Sequence, residues 1–360
     1  MARRKAVKSG VTLRDVAQES GVSPATVSIV LNNAPLARYI PQSTKDRIER
    51  AAKKLAYRPK TVSRFLSAKR NRTVGVMVFD ITDPFCTLIL RGIENTLYQA
   101  SYLPILTDVH NQRGRFERYL EMLLARPVEA LVFVANWLFV DIEVLADLEK
   151  RNIPAVMIGR ELSSGSISSV MTDNEAGAHL AMEHLYSLGH RKIAFIRGPK
   201  MLVDSSPRWR GVRSFARSVG LEIDPALVVD LPDSLDPNSG FEGGFKLTEE
   251  LLKHKKRFTA VMAFDDMTAF GAIRGLARGG LKVPEDCSVI GFDDIPHAAL
   301  NTPGLTTIRQ PMLDMGSLAA KLVLNAIAGP AESEDKLLHL LQPELLVRDS
   351  TRKKAPALRK

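Results

Sequence analysis

The sequence has few cysteines and no long apolar run. Cys86 and Cys287 are its only cysteines, and neither has a CxxC partner or a histidine at metal-ligand spacing beside it. A disulfide and a zinc site are therefore both disfavoured, and we expect two buried free thiols. No segment reaches the roughly 18 consecutive apolar residues of a membrane span, and the start, "MARRKAVKSGV", lacks the apolar core of a secretory signal. We therefore expect a globular cytoplasmic protein that makes no membrane contact.

Motifs of catalysis and cofactor binding are absent as well. The sequence contains no HExxH, no G-x-S-x-G, no P-loop and no G-x-G-x-x-G after a strand. His179, His184 and His190 are spaced five and six residues apart, which puts successive histidines on different faces of a helix. We predict a protein without enzymatic activity, cofactor or metal ion.

Acidic residues are scarce in the first 72 residues. That segment holds 17 Lys and Arg against four acids, a net charge of +13, so the other 288 residues carry −3 of the total of +10. A basic arm on a nearly neutral body favours a polyanion as the partner of the arm alone. The arm also has regular apolar spacing, which a solvated disordered tail would lack.

The basic arm contains the signals of two short helices joined by a tight turn. Thr12 and Asp15 suit a capping box at the start of the first helix. Gly21 ends that helix, because glycine adopts positive φ without steric cost. Ser23 and Pro24 then begin the second helix. Two such helices form a helix-turn-helix, whose second helix enters the major groove of DNA.

A third helix is predicted for "STKDRIERAAKKLAY", where Ser43 and Asp46 repeat the capping pattern. Pro59 ends it, and residues 61–68 form at most a short helix that becomes ordered when something holds it. We expect the apolar faces of the second and third helices to close a small core through Val27, Val30, Leu31, Ile48, Ala51, Ala52 and Leu55.

The order of these motifs resembles one known family. "TLRDVA", then "GVSPATVSIVLN", then "LAYRPKTVSRFLSAK" running into "TVGVMV", is similar to the DNA-binding headpiece and hinge of the LacI/GalR family of bacterial transcription regulators. The resemblance implies a helix-turn-helix headpiece over residues 1–60 and a hinge helix or linker over 61–72. It also implies a homodimer on double-stranded operator DNA. One departure is that "NNAPLARYIPQST" is about three residues longer than expected, and Arg38 and Tyr39 in it could contact the DNA backbone.

The resemblance also implies particular DNA contacts. Pro24, Ala25 and Ile29 occupy base-reading positions, where small or apolar groups can contact a thymine methyl. Leu66 occupies the position of a wedge that kinks the operator in the minor groove, the alternative being ordinary packing against the body. The full set of DNA-contacting candidates is Thr12, Ser23, Pro24, Ala25, Thr26, Ser28, Ile29, Asn32, Tyr57, Arg64 and Leu66.

From residue 73 onward, apolar strands alternate with amphipathic helices. Strands that are apolar throughout favour parallel sheets covered on both faces, and two runs of the pattern, about 73–170 and 170–294, suggest two similar lobes. A ligand of such sheets binds beyond the carboxyl ends of the strands, so a cleft between the lobes is the expected site. The predicted strands are "VGVMVFD", "LPILTDV", "ALVFVA", "AVMIG", "KIAFIRG", "AVMAFDD" and "CSVIGFDD".

The family resemblance continues through the body in "DNEAGAHLAMEHLYSLGHRKIAFIRGP" and "TPGLTTIRQP". It implies an α/β two-lobed, periplasmic-binding-protein-like domain of two parallel doubly wound sheets over residues 73–350. The first lobe would comprise about 73–170 and 295–328, and the second about 171–294 and 329–350, with a basic tail at 351–360. Three crossings of the chain would connect the lobes.

Candidate effector contacts follow from the same resemblance. Arg210 matches an arginine that grips ligand hydroxyls or carboxylates, the alternative being a surface ion pair. Asp266 matches an acid that accepts from hydroxyls or amines, the alternative being a helix cap. Phe85 falls where a ring often lies against the ligand, although it could simply pack the start of a helix. Arg160 also follows a strand, and Leu235 replaces an aromatic residue that would stack on a flat ligand.

The function predicted from these features is a dimeric, effector-gated transcription factor, most often a repressor in this family. Its effector would be a small molecule, a sugar or sugar derivative, bound between the lobes. A solute-binding protein of the same fold is the alternative, but the headpiece argues against it.

Overall fold

The computed structural model describes residues 11–31, 35–57, 71–134, 148, 151–161, 167–234, 236, 239–253, 257–329 and 338–354. The chain falls into two compact units that divide between Asn71 and Arg72. Within the described residues, no helix is both long and apolar enough to cross a membrane. Both cysteines are buried free thiols, as predicted.

The first unit is a three-helix domain with helices α1 (Leu13–Ser20), α2 (Pro24–Leu31) and α3 (Gln42–Lys54) and a 3-10 turn at Pro35–Tyr39. The capping box is confirmed, since Thr12 Oγ1 accepts from the Asp15 N–H and Asp15 Oδ2 accepts from the Thr12 N–H at 2.7 Å. Gly21 follows α1 with φ 64°, as the predicted turn requires.

The core of this unit joins all three helices. It consists of Val16, Ala17, Val27, Val30, Ile48, Ala51 and Ala52. The predicted cap at Ser43 is wrong: α3 begins at Gln42 after Pro41, with no side-chain cap. Asp46 instead accepts a hydrogen bond from Gln42 Nε2 at 2.8 Å, because one helical turn places these two side chains together.

The second unit contains two six-stranded sheets, one in each lobe. The first has the order β11-β5-β4-β3-β1-β2, and all its pairs are parallel. Its strands are β1 (Thr73–Val78), β2 (Leu103–Asp108), β3 (Ala130–Val134), β4 (Ala155–Ile158), β5 (Ser168–Thr172) and β11 (Leu338–Leu341).

The second sheet has the order β12-β10-β9-β8-β6-β7, parallel except for the antiparallel edge pair of β12 with β10. Its strands are β6 (Ile193–Arg197), β7 (Val228–Asp230), β8 (Ala260–Ala263), β9 (Ser288–Asp293), β10 (Thr306–Arg309) and β12 (Glu344–Leu346). All seven strands predicted from apolar runs are confirmed, and the two-sheet fold with them.

Helices cover both faces of each sheet, so that each lobe has two apolar cores. Gly92 and Gly316 let two of the helices on the first sheet approach closely, since a Cβ on either glycine would meet the backbone of the other helix. The helices of this unit are α4 (Pro84–Gln99), α5 (Arg113–Leu124), α6 (Asn174–Ser187), α7 (Ser205–Ser218), α8 (Ser239–Lys253), α9 (Asp266–Arg278), α10 (Pro296–Leu300) and α11 (Met312–Ala328).

The chain passes between the sheets three times, as predicted. The first crossing lies close to the predicted boundary, and the other two come later in the chain than predicted. It crosses after β5, after β10 and between β11 and β12. Residues 306–309, predicted for the first lobe, therefore belong to the second sheet, because β10 pairs in parallel with β9. The segment "HLLQPELLVRD" contains two strands, β11 and β12, which belong to different sheets. Pro343 separates them, since proline cannot donate to a sheet.

Candidate functional site

A cleft of about 710 Å³, open solvent included, lies between the lobes beyond the carboxyl ends of the strands. The first lobe contributes Asp83 and Phe85, at the start of α4. The second lobe and the connecting residue Gln310 contribute Pro199, Leu202, Asp204, Arg208, Leu231, Pro232, Ser234, Asp236, Ser239, Gly240, Phe264, Asp265, Asp293 and Gln310. The position is the one predicted from the sheet topology.

Arg208 is the one cation among the described lining residues, and it is fixed before any ligand binds. Its Nε donates to Asn174 Oδ1 at 2.8 Å and its Nη1 to the carbonyl of Phe264 at 2.6 Å. Its guanidinium lies 4.5 Å from the ring centroid of Phe264 and 3.7 Å from that of Phe292. Such contacts hold the planar donor fork in one orientation, so little side-chain entropy is lost when a ligand binds.

Asp293 faces Arg208 at the end of β9. Its Oδ1 lies 3.4 Å from Arg208 Nη2 and accepts from Gln310 Nε2 at 2.6 Å. Burial raises the pKa of the Asp293 carboxyl well above its ordinary value, although the Arg208 guanidinium opposes the shift. The φ of Asp293 is 123°, a backbone conformation that costs free energy and is often found at binding sites.

Three further aspartates approach the cleft from different elements. Asp83 caps α4 by accepting from the Phe85 N–H at 3.0 Å, and Asp265 caps α9 by accepting from the Thr268 N–H at 2.7 Å. Asp204 accepts from Asn174 Nδ2 at 2.8 Å. Because Asp83 and Asp265 precede the first helical residue, their carboxylates lie at the cleft rather than inside a helix.

The pKa values of two of these aspartates, Asp83 and Asp204, are raised. Burial raises the pKa of Asp83 to about 7, and the charges of Asp265, Asp80 and Asp204 add to the shift, while the hydrogen bond from Phe85 opposes it. Burial also raises the pKa of Asp204, against the opposing effect of Arg208. Asp83 therefore exchanges its proton close to neutral pH.

In the first unit, the residues at the start of α2 are accessible to solvent. Ser23, Pro24 and Ala25 are exposed, and Thr12 is exposed at the start of α1. Ser23 Oγ accepts from the Thr26 N–H at 3.1 Å and contacts Thr26 Oγ1 at 2.8 Å, which caps α2 as predicted. The tip of α2 is thus a rigid surface of small polar and apolar groups.

Comparisons with known proteins match both units. Residues 12–60 match the profile of bacterial regulatory proteins of the lacI family, and residues 182–351 match the periplasmic binding protein-like domain. The transcriptional repressor CytR of Escherichia coli strain K12 is 32% identical over 351 residues, which cover 97% of this chain and 99% of that protein. The chain belongs to the lacI family.

Two solved structures of lacI-family proteins, each with a bound ligand, are similar to this chain in fold. The lac repressor dimer bound to operator and the anti-inducer ONPF superposes with a TM-score of 0.80 at 27% identity, covering 96% of this chain and 100% of that one. A LacI family regulator from Enterococcus faecium with bound ribose gives 0.67 at 32% identity, covering 79% of this chain and 100% of that one.

Two predicted effector contacts of this lacI-family protein do not line the cleft. Arg210 lies on the surface, 52% exposed, with its Nε 3.2 Å from Glu175 Oε2. Since α7 turns about 100° per residue, Arg208, two positions earlier, points to the opposite side and enters the cleft. The surface ion pair, which was the alternative for Arg210, is what the structure contains.

Asp266 is fully buried behind the cleft rather than in it. Its Oδ1 accepts from Thr307 Oγ1 at 2.5 Å, and its Oδ2 from the Ile295 N–H at 2.9 Å. Burial raises the pKa of Asp266 to about 8, against both hydrogen bonds. The carboxylate that reaches the cleft from this strand end is its neighbour, Asp265.

Among the other effector candidates, Phe85 lines the cleft, Arg160 is not one of its described lining residues, and Leu235 lies outside the described residues. Six residues of the cleft were not predicted from the sequence: Asp83, Asp204, Arg208, Asp265, Asp293 and Gln310. A signal was present for two of them: Asp265 and Asp293 each follow an apolar strand, in "AFDD" and "GFDD", where the sheet rule puts ligand contacts.

The remaining DNA-contacting candidates divide into three groups. Thr26, Ser28 and Ile29 are half-buried on α2. Tyr57 is half-buried against the core of the first unit, where its N–H donates to the carbonyl of Ala52 at 2.9 Å. Asn32, Arg64 and Leu66 lie outside the described residues.

The long loop before α3 contains Arg38 and Tyr39, which were expected to contact the DNA backbone. Tyr39 is 69% exposed, and the Arg38 guanidinium lies 4.7 Å from its ring centroid. The loop is anchored to the unit by Ala37, which is buried, and by Ile40, which packs on the core. An exposed cation on an exposed ring is suited to a phosphate contact.

Proposed function

We propose that this protein is a transcriptional repressor that binds a pseudo-palindromic operator as a homodimer and responds to a small molecule held between its lobes. The observation that carries the proposal is the presence in one chain of a capped helix-turn-helix and an interlobe cleft with a preorganised arginine. A solute-binding protein does not require a helix-turn-helix, and a constitutive DNA-binding protein does not require a ligand-binding cleft.

On DNA, α2 lies in the major groove. Pro24, Ala25 and Ile29 contact base edges, chiefly thymine methyl groups, because they offer no hydrogen bonds to the bases. Phosphate contacts from the hydroxyl groups of Ser23 and Thr26 position the helix. The excess of Lys and Arg in the first 72 residues supplies affinity without sequence preference.

Leu66 supplies specificity of a second kind in this proposal. Inserted from both halves of the dimer at the operator centre, it unstacks a base step and selects sequences that bend easily. Asn32 contacts a phosphate and so helps to position the recognition helix, and Arg64 adds a basic group to the segment that carries Leu66. Such readout explains how a helix tip without long polar side chains can distinguish one site from another.

In the cleft, Arg208 and Asp293 orient the ligand. The remaining donors of Arg208 serve ligand oxygens, while the carboxylate and Gln310 pair with ligand hydroxyls. Ribose in the E. faecium relative supports a carbohydrate or a derivative of one. Effector binding and operator binding then influence each other by favouring different arrangements of the lobes. We place the protein in the bacterial cytoplasm, where it acts on DNA and not as an enzyme.

Selection of bound sequences from random duplexes tests the DNA-binding half of the proposal. Full-length protein at near-physiological salt is the right reagent, because nonspecific electrostatic binding weakens there. We expect recovery of a palindrome with a deformable central step. Recovery of no shared sequence, both alone and with a pool of sugars present, would contradict the proposal.

A further inference from the structure

Carboxyl groups far outnumber basic side chains in the cleft. Five aspartates and one arginine are among its described lining residues, and no lysine or histidine is. The acids are Asp83, Asp204, Asp236, Asp265 and Asp293, and the arginine is Arg208. Arg208 pairs with Asp293 at 3.4 Å, so its charge is already engaged before a ligand enters.

Three of these carboxylates are only half satisfied by the protein. In Asp83, Asp204 and Asp265, Oδ1 accepts one hydrogen bond. Within the described residues, the Oδ2 atoms of these three accept none, and none of the three forms an ion pair. Asp204 is only 9% exposed and lines the cleft.

The three carboxyl groups line the cleft from both lobes. Asp83 belongs to the first lobe, and Asp204 and Asp265 to the second. Their mutual repulsion is visible in the raised pKa of Asp83, to which both Asp265 and Asp204 contribute after burial. A ligand that neutralises this repulsion would hold the lobes together, whereas a neutral ligand would remove water from the carboxylates and leave their charges unpaired.

We propose that the effector is a polyhydroxylated amine of the amino-sugar class, whose protonated nitrogen binds between Asp83 of the first lobe and Asp204 and Asp265 of the second. An ammonium group has three donors and no acceptor, which matches a set of carboxylate oxygens that can only accept. The sugar hydroxyls occupy the side of the cleft with Arg208 and Gln310, and Phe85 and Phe264 provide apolar walls. The inference rests on the proposed function, because it names the ligand class of the same cleft.

Matched sets of ligands test the charge directly. Isothermal titration of full-length protein at pH 7.5 compares D-glucosamine, D-galactosamine and D-mannosamine with their parent sugars and their N-acetyl derivatives. Phosphate buffer is needed, since Tris is itself a polyhydroxylated amine. We expect at least one amine to bind at least tenfold more tightly than both of its neutral counterparts. If no amine in the panel binds more tightly than its neutral counterparts, the inference is wrong.

Charge-removing variants test where the nitrogen binds. Asp83→Asn and Asp265→Asn each keep the Oδ1 oxygen that caps a helix, so both are expected to fold, which circular dichroism checks. Each should weaken the preferred amine at least tenfold and leave the affinity for the parent sugar equal or higher. Glu175→Gln removes an exposed carboxylate outside the cleft and should change neither affinity. Unchanged amine affinity in both aspartate variants would overturn the assignment.

The operator selection separates this inference from the proposed function. A protein that selects a palindrome but shows no preference for amines retains its function and refutes the ligand class alone. A protein that prefers amines but selects no operator sequence retains the ligand class and refutes the regulatory function.

Discussion

The Arg208 guanidinium and the Asp293 carboxylate meet at the base of the cleft, 3.4 Å apart, with both side chains largely buried. Arg208 is additionally enclosed by the rings of Phe264 and Phe292, and Asp293 by Gln310. The pair belongs to the second lobe alone, so it exists whether or not a ligand is bound. The Arg208–Asp293 pair is therefore preorganised and can orient the ligand when it binds.

Arg208→Met should destabilise the second unit strongly. The substitution removes three hydrogen bonds and leaves Asp293 without its cation, a loss of about 3 kcal/mol in the free energy of unfolding. Urea denaturation followed by circular dichroism measures it. Arg210→Met is the matched control two residues away. Its exposed pair with Glu175 should contribute less than about 1 kcal/mol. Equal effects of the two substitutions would show that Arg208 is not the structural arginine of the cleft.

Thr12→Ala should loosen the start of α1. The capping box with Asp15 is lost, which costs about 1 kcal/mol of local stability and raises amide exchange in α1 roughly fivefold. Hydrogen exchange with mass spectrometry on full-length protein gives the measurement. Ser43→Ala is the control, because Ser43 makes no cap in the structure. A comparable increase in exchange in α3 of the Ser43 variant would contradict the assigned helix starts.

Thermal stability should fall as the pH rises from 6.5 to 8.5. The pKa of Asp83 is raised to about 7 and that of Asp266 to about 8, so the folded protein holds protons that the unfolded chain has already released. Stability from these groups is complete below the ordinary carboxyl pKa and is lost as the pH passes the folded values. The window avoids His184 and His190, whose lowered pKa values act in the opposite direction at lower pH.

The Tm of Asp83→Asn should depend less on pH in the same window, because one of the carboxyl groups with a raised pKa is absent. The measurement is the slope of Tm against pH for this variant and the wild-type protein. A Tm that rises with pH in both proteins would mean that the folded protein does not bind more protons than the unfolded chain in this pH window.

Leu66→Ala should weaken specific DNA binding far more than nonspecific binding. The wedge acts only where the operator is kinked, whereas nonspecific binding depends on phosphate contacts. Fluorescence anisotropy with the selected operator and with a scrambled duplex provides both affinities. Equal losses on the two duplexes would refute the wedge and favour packing of Leu66 against protein.

Most of the fold could be predicted because its signals are local. The turn at Gly21, the caps at Thr12 and Ser23 and the seven apolar strands each depend on a few adjacent residues. Strand β10 was missed because Thr306 and Thr307 look like a polar loop. They are buried because Ser350, Thr351 and Asp266 satisfy them from distant parts of the chain.

The site was predicted in position but not residue by residue. Sheet topology determines where the cleft lies. Which of Arg208 and Arg210 enters it depends on how α7 packs, and a short sequence motif does not determine that packing. The same holds for Asp265 and Asp266, adjacent residues of which one reaches the cleft and the other ties α9 to β10. Neighbouring residues of equal chemistry are distinguished only by the tertiary structure.

The most direct test of the whole account is the operator Kd of full-length protein, with and without a saturating amount of the tightest ligand from the titration panel. The account predicts a change of about 5- to 150-fold in wild-type protein, the usual range of such coupling, and no change in Arg208→Met at the same ligand concentration. A ligand that binds the wild-type cleft in the titration yet leaves its operator Kd unaltered would contradict the claim that the cleft controls DNA binding.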